Sequence, residues 1–166
     1  MSSPPKMLLG VLSDTHGHIA NTQAAVRMLE SLQVDVVLHC GDIGSPSIPS
    51  LLENWPTHYV FGNVDHNESE LRDAIQESRH TCHLRFGELE LAGKRIALLH
   101  SDDARLFEKT IRSGRFDLVC YGHTHQAEQH LEGKTLVLNP GAVYRATPHS
   151  LAVVELPAMR ATIVPF

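Results

Sequence analysis

Met7-Leu8-Leu9-Gly10-Val11-Leu12-Ser13-Asp14-Thr15-His16 is apolar as far as Leu12 and then turns abruptly to residues able to hold a proton or a cation. The apolar part is too short for an ordinary helix and does not alternate, so it predicts a strand covered on both faces. The pattern recurs along the chain. Val34-Asp35-Val36-Val37-Leu38 leads to Cys40-Gly41-Asp42, and His58-Tyr59-Val60-Phe61 leads to Gly62-Asn63-Val64-Asp65. Arg95-Ile96-Ala97-Leu98-Leu99 leads to His100-Ser101-Asp102, and Phe116-Asp117-Leu118-Val119-Cys120-Tyr121 leads to Gly122-His123-Thr124-His125. Each of these five strands ends in Asp, Asn or His, and three of the ends carry a glycine directly before that residue.

Helical patterns lie between the strands. Ala25, Met28, Leu29 and Leu32 fall at i, i+3, i+4 and i+7, with Arg27 and Glu30 on the other side and Asn21 or Thr22 as N-cap. Leu71, Ala74 and Ile75 predict a helix within Glu68 to Ser78, and Ala104, Phe107 and Ile111 predict another within Asp103 to Arg112. A shorter helix is expected from Pro46, holding Ile48, Leu51 and Leu52. The last third reads differently. Thr135 to Leu138, Leu151 to Leu156 and Ala161 to Val164 look like strands with no helix between them, and a hairpin is expected through Leu84–Phe86 and Glu88–Leu91, turning at Gly87. Strand–helix alternation followed by bare strands predicts an α/β protein with parallel strands and an antiparallel tail. No linker or short repeat interrupts it, so a single domain over residues 1–166 is expected.

No apolar run approaches the roughly 20 residues that span a bilayer. The start is short and polar and runs into Asp14 without a signal-peptide core, so a cytoplasmic protein is expected. Cys40, Cys82 and Cys120 are odd in number and widely spaced, which argues against a disulfide framework and leaves Cys40 and Cys120 as small buried hydrophobes. A net charge of −5 without a basic cluster argues against extended nucleic acid as a partner, while a small phosphate ester remains compatible with a local cationic centre. Twelve histidines give an unusual stock of metal ligands, and their positions decide whether it matters.

In open α/β sheets, ligands gather at the carboxyl ends of the strands, so the five polar loops are expected to converge. Residues i and i+2 of an extended segment share a face, which lets Asp14 with His16, and His123 with His125, address one region. Carboxylate, imidazole and amide oxygen suit divalent manganese, iron, zinc or nickel, and the lack of thiolates disfavours a structural zinc site. Taken singly, each motif has an ordinary explanation as a cap or a turn. The five in order, each directly after an apolar strand, point to a dinuclear site.

These motifs resemble the calcineurin-like metallophosphoesterase superfamily, whose pattern D-x-H, G-D, G-N, H and G-H-x-H is met here by Asp14-Thr15-His16, Gly41-Asp42, Gly62-Asn63, His100 and Gly122-His123-Thr124-His125. The resemblance runs from Met7 to about Glu155. The short chain and Leu138-Asn139-Pro140-Gly141-Ala142 look like the small bacterial and archaeal phosphodiesterase branch. It implies a four-layer α-β-β-α sandwich, with two facing mixed sheets flanked by helices. It also implies two divalent metal ions, manganese first among the candidates. Asp14, His16 and His125 would hold one, Asn63, His100 and His123 the other, and Asp42 both. A hydroxide between cations roughly 3.5–4 Å apart would attack phosphorus, with Asp42, Asn63 and His123 positioning the phosphate through the metals.

The chain departs from the family in two places. Val64 stands where many members carry a histidine that protonates the leaving group, a contribution of about 10²–10⁴-fold, so slower turnover or a preference for good leaving groups is expected. After His100, Ser101-Asp102-Asp103 replaces a second histidine; either aspartate can cap the following helix, and Asp102 near the pocket would tune specificity. Asp65 is a candidate to orient Asn63 or a site histidine, or to cap the helix from Glu68. His18 is a candidate for the substrate side, His39 is expected to pack beneath the site, and Arg145 is read as a surface residue with a phosphate or subunit contact as the alternative. The leading reading is a phosphodiesterase on a small phosphoester, with homo-oligomers common among small relatives. A phosphomonoesterase or protein phosphatase with the same centre, a scaffold like the retromer subunit of this family, and a repair exonuclease are the alternatives.

Overall fold

Period-2 alternation sorts the side chains of each central strand between two faces, and that sorting builds the layers. In the computed structural model, which describes residues 2–166, the first sheet has the order β11-β10-β1-β2-β3-β4. Its strands are β1 (Met7–Leu12), β2 (Val36–His39), β3 (Thr57–Tyr59), β4 (Thr81–Cys82), β10 (Ser150–Leu156) and β11 (Arg160–Pro165). The second sheet has the order β5-β6-β7-β9-β8, from β5 (Phe86–Leu91), β6 (Lys94–Leu99), β7 (Leu118–Cys120), β8 (Glu128–Glu132) and β9 (Thr135–Asn139). Both are mixed: β1 to β4 run parallel, as do β6, β7 and β9, with antiparallel β10, β11, β5 and β8 at the flanks.

The sheets face each other across one core. Leu9, Val11, Leu38, Ala152 and Val154 of the first meet Ile96, Leu98, Leu118, Cys120 and Leu138 of the second. The alternate residues point outward. Leu12, Val37 and Leu151 pack under helices α1 (Ile19–Leu32) and α2 (Glu68–Glu77), and Ala97, Val119 and Val137 pack under α3 (Ala104–Arg112). The result is the four-layer sandwich. The domain expected over residues 1–166 includes Met1, which lies outside the described residues. Among the described residues, no helix is long and apolar enough to cross a membrane.

Several local expectations are corrected. The turn at Gly87 is not there: β5 runs straight through it, and a Cβ at Gly87 would crowd the His83 ring. The hairpin turns instead at Ala92-Gly93, where φ values of 49° and 75° give the two left-handed positions that match strand twist. Helix α1 starts ahead of Asn21 and Thr22, and His18 caps it by accepting from the Asn21 N–H at 3.2 Å. The helix expected from Pro46 is a 3₁₀ turn, Pro49–Leu52, with Pro49 in the first-turn position. Two strands have no apolar signature. The polar edge strand β8 contains Glu128, Gln129 and His130, and β4 is only two residues long.

Candidate metal centre

The loops after β1, β2, β3, β6 and β7 meet at one end of the sandwich because their backbones are tied together. The Asp14 N–H donates to Gly41 O at 3.0 Å, His16 N–H to Asp42 O at 3.0 Å, and Gly122 N–H to His100 O at 3.2 Å. Asp14, His16, Asp42, His123 and His125 all have left-handed backbones, with φ between 46° and 73°. Such conformations cost on the order of 1–3 kcal/mol each, and Asp and His are among the side chains that accept them best. The neighbouring glycines let the loops approach. A Cβ at Gly62 would overlap Asp42 Oδ1, and one at Gly122 would overlap Ser13 Oγ and press on Asp14 Oδ2.

Each central carboxylate is anchored by one oxygen and aims the other inward. Asp14 Oδ2 accepts from Ser13 Oγ at 2.5 Å and from the His123 N–H at 3.2 Å. Its Oδ1 faces His125 Nε2 at 3.1 Å and His16 Nε2 at 3.5 Å. Asp42 Oδ1 accepts from the Val64 N–H at 3.2 Å, while its Oδ2 lies 3.1 Å from His100 Nε2 and 3.7 Å from His16 Nε2. His100 Nδ1 donates to Cys40 O at 2.8 Å, which turns Nε2 toward the carboxylates. His123 Nδ1 lies 3.1 Å from Asn63 Oδ1. Asp42 Oδ2 therefore faces His16, which also approaches Asp14 and His125, and His100, whose ring lies 5.1 Å from that of His123.

The donors fit a cation. Donor atoms of Asp14, His16, Asp42 and His125 lie within 4.8 Å of one another. Asp14 Oδ1 and His100 Nε2 are buried and have no hydrogen-bond partner among the described residues, although His125 Nε2 lies 3.1 Å from the first and Asp42 Oδ2 3.1 Å from the second. His16 Nε2 and His125 Nε2 approach to 3.3 Å, an arrangement in which both lone pairs can address one ion. Burial pushes the Asp14 carboxyl up, but His16, His100, Ser13 and His125 together outweigh it and hold it at about 2. Burial pushes His100 down, and the Asp42 and Asp14 carboxylates more than offset that and raise it above the ordinary histidine value. A buried carboxylate held ionised, as Asp14 is, calls for a compensating positive charge.

The supporting residues take definite places. The Asp65 carboxylate accepts from the N–H groups of Gly62 at 2.8 Å, Ile43 at 3.1 Å and Gly44 at 2.9 Å. It fastens the loop carrying Asn63 to the loop carrying Asp42 through backbone, and Asn67, not Asp65, is the N-cap of α2. His39 is buried beneath the site as expected. Its Nδ1 accepts from the Gly41 N–H at 3.2 Å, so Nε2 donates to Thr15 Oγ1 at 3.0 Å, and that hydroxyl donates to Ile43 O at 3.0 Å. Burial holds the His39 ring at about 3, hence neutral. Asp103 caps α3 by accepting from the Leu106 N–H at 3.0 Å, which leaves Asp102 exposed beside His100. His18 stacks on Tyr144 with ring centroids 4.3 Å apart. Val64 is exposed at the mouth.

Sequence reading missed Ser13 and Asn139. Asn139 Nδ2 donates to Gly122 O at 3.1 Å and Thr124 Oγ1 at 3.0 Å, and its Oδ1 accepts from the Gly141 N–H at 2.9 Å, which braces the loop of His123 and His125. The available signal was its position, at the end of a strand like the other polar ends.

Comparison with known proteins gives a consistent picture. Residues 7–158 match the model of the calcineurin-like phosphoesterase superfamily domain. A phosphodiesterase of Methanocaldococcus jannaschii is 30% identical over 138 residues, 81% of this chain and 83% of that protein. The structure of a novel archaeal phosphodiesterase superposes with a TM-score of 0.88 at 25% identity, covering 96% of this chain and all of that one (100%). Vacuolar protein sorting 29 of Cryptosporidium parvum shares the fold, with a TM-score of 0.67 at 18% identity and 97% of both chains covered.

Proposed function

This chain belongs to the calcineurin-like phosphoesterase superfamily, and from that premise we propose that it is a dinuclear metal-dependent phosphodiesterase, a single domain over residues 1–166 that works in the cytoplasm on a small phosphoester. The observation that carries the reading is the position of Asp42 Oδ2, which lies 3.1 Å from His100 and 3.7 Å from His16, one imidazole from each donor group. Asp14, His16, Asp42 and His125 would hold one divalent cation; Asp42, Asn63, His100 and His123 would hold the second, with manganese the first candidate. Bound there, the cations would acidify the attacking water and draw charge from the phosphoryl oxygens. The chain's own residues fix the geometry. Ser13 and the His123 N–H hold Asp14, the Val64 N–H holds Asp42, Cys40 O sets the His100 tautomer, and Asp65 locks two loops together.

Val64 cannot donate a proton, so the leaving group must depart with little acid help. That favours diesters of acidic alcohols over monoesters of poor leaving groups. The likeness to vacuolar protein sorting 29, at 18% identity, speaks for the fold alone, and the converging donors of this chain support hydrolysis. The reading is tested by assaying the purified protein with manganese on bis(4-nitrophenyl) phosphate and on 4-nitrophenyl phosphate. Metal-dependent turnover that is faster on the diester is expected. No turnover on either ester with manganese, nickel, iron or zinc would reject the proposal.

A further inference from the structure

We infer that the groove beside His125 receives the organic group of the ester, and that Arg145 at its edge selects substrates carrying a second anionic group. The inference rests on the phosphodiesterase reading and adds the class of substrate. Two cavities border the candidate metal centre. The one beside His100 holds about 90 Å³ and is lined by Asp102 and Asp103, whose exposed carboxylates repel an anionic ester. The one beside His125 holds about 370 Å³ and is walled by Ala127, Thr147, Pro148, Ile163 and Pro165. That volume falls in the range of small-molecule sites, and the lining mixes apolar surface with a few polar groups. The organic part of the substrate therefore fits on the His125 side.

Arg145 directly precedes the groove wall that starts at Ala146. It is exposed, has a left-handed backbone at φ 63°, and forms no salt bridge among the described residues. Its guanidinium lies 5.7 Å from the Tyr144 ring centroid. Tyr144 is tied to the centre: its N–H donates to Asp14 O at 3.1 Å, its ring stacks on His18, and its centroid is 6.4 Å from that of His16. A left-handed backbone and an aromatic support thus hold an exposed cation next to Tyr144, one residue before the groove wall. Guanidinium suits a planar or tetrahedral oxyanion, a carboxylate or a second phosphate.

The test compares 4-nitrophenyl thymidine 5′-phosphate with its 3′-phosphorylated derivative, which share a scissile bond and a leaving group. With manganese, the wild-type protein should favour the derivative by about five- to tenfold in kcat/KM, carried by KM. Arg145→Gln should bring that ratio close to one, and Arg145→Lys should retain part of it. Thr147→Trp, which fills the groove from an exposed position, should raise KM for both esters. Calorimetric titration of the manganese-loaded protein with thymidine 3′,5′-bisphosphate against thymidine 5′-phosphate reads the same preference without turnover. Equal affinity for the two in the wild type, a preference that survives Arg145→Gln, or an unchanged KM in Thr147→Trp would overturn the inference. Arg145-dependent binding of the bisphosphate without hydrolysis of either ester would instead reject the phosphodiesterase reading and leave the subsite standing.

Discussion

The two donor groups on either side of Asp42 are built differently. Asp14, His16 and His125 are buried or half-buried, and their donor atoms already converge with Asp42. In the other group only His100 is buried, while Asn63 and His123 are exposed. The first group also has an underlayer of Ser13, Thr15 and His39, whereas Asn63 of the second sits on a loop braced by Asp65, and Asn139 braces the loop that gives one histidine to each group. Rigid, desolvated donors bind a cation tightly; exposed donors bind less tightly and leave room for substrate. The closed group should hold its cation more tightly, and the open group should face the phosphate.

The largest effect that would break this contrast concerns the residue the groups share. Asp42→Ala should lower turnover by on the order of 10³-fold or more and weaken both binding steps in a manganese titration. Near-native turnover would refute the bridging role. Next comes the asymmetry itself. His125→Ala should weaken the tighter step, and Asn63→Ala the weaker one, each by on the order of 100-fold. If both substitutions affected the same step, the division into two groups would be wrong. Val64→His, at the open mouth, should accelerate diesters of poor leaving groups by about 10- to 100-fold and leave nitrophenyl esters little changed. An equal change across leaving groups would count against acid help at this position.

The smallest effect concerns two histidines outside the donor groups, His39 beneath the site and His58 of β3, which packs on His83. Burial is the main cause that holds His39 at about 3 and His58 at about 4, both well below the ordinary histidine value near 6.5. The unfolded chain therefore takes up more protons as the pH drops below about 6.5. The stability these rings confer is fully present above that value and is lost as pH falls toward 4 and 3. With chelator present, the melting temperature should fall between pH 7 and pH 4.5, and His58→Asn should flatten part of that curve. A melting temperature independent of pH over this window would contradict the assignment.

Much of this was legible in the sequence, for physical reasons. Buried strands must be apolar, so β1, β6 and β7 announce themselves, and polar residues after them stand out against the run. The glycine before Asn63 carried the site because close loop approach demands it, whereas the extended backbone expected to bring Asp14 with His16, and His123 with His125, to one face is instead left-handed at all four. What stayed hidden depends on tertiary partners. Strand β8 has a polar sequence and pairs only because β9 offers an edge. Gly87 looked like a turn but makes room for His83, while Ala92 adopts the turn conformation without a turn-forming residue at that place. The bracing by Asn139 and Asp65 runs through backbone groups of other loops, which no local pattern encodes.

The most direct test of the central claim is a manganese titration of the metal-free protein followed by electron paramagnetic resonance. Two ions per chain that bind in separable steps and become magnetically coupled on the second addition are predicted, with the coupling lost in Asp42→Ala. A single ion at saturation, or two that remain uncoupled, would contradict a shared carboxylate between two cations.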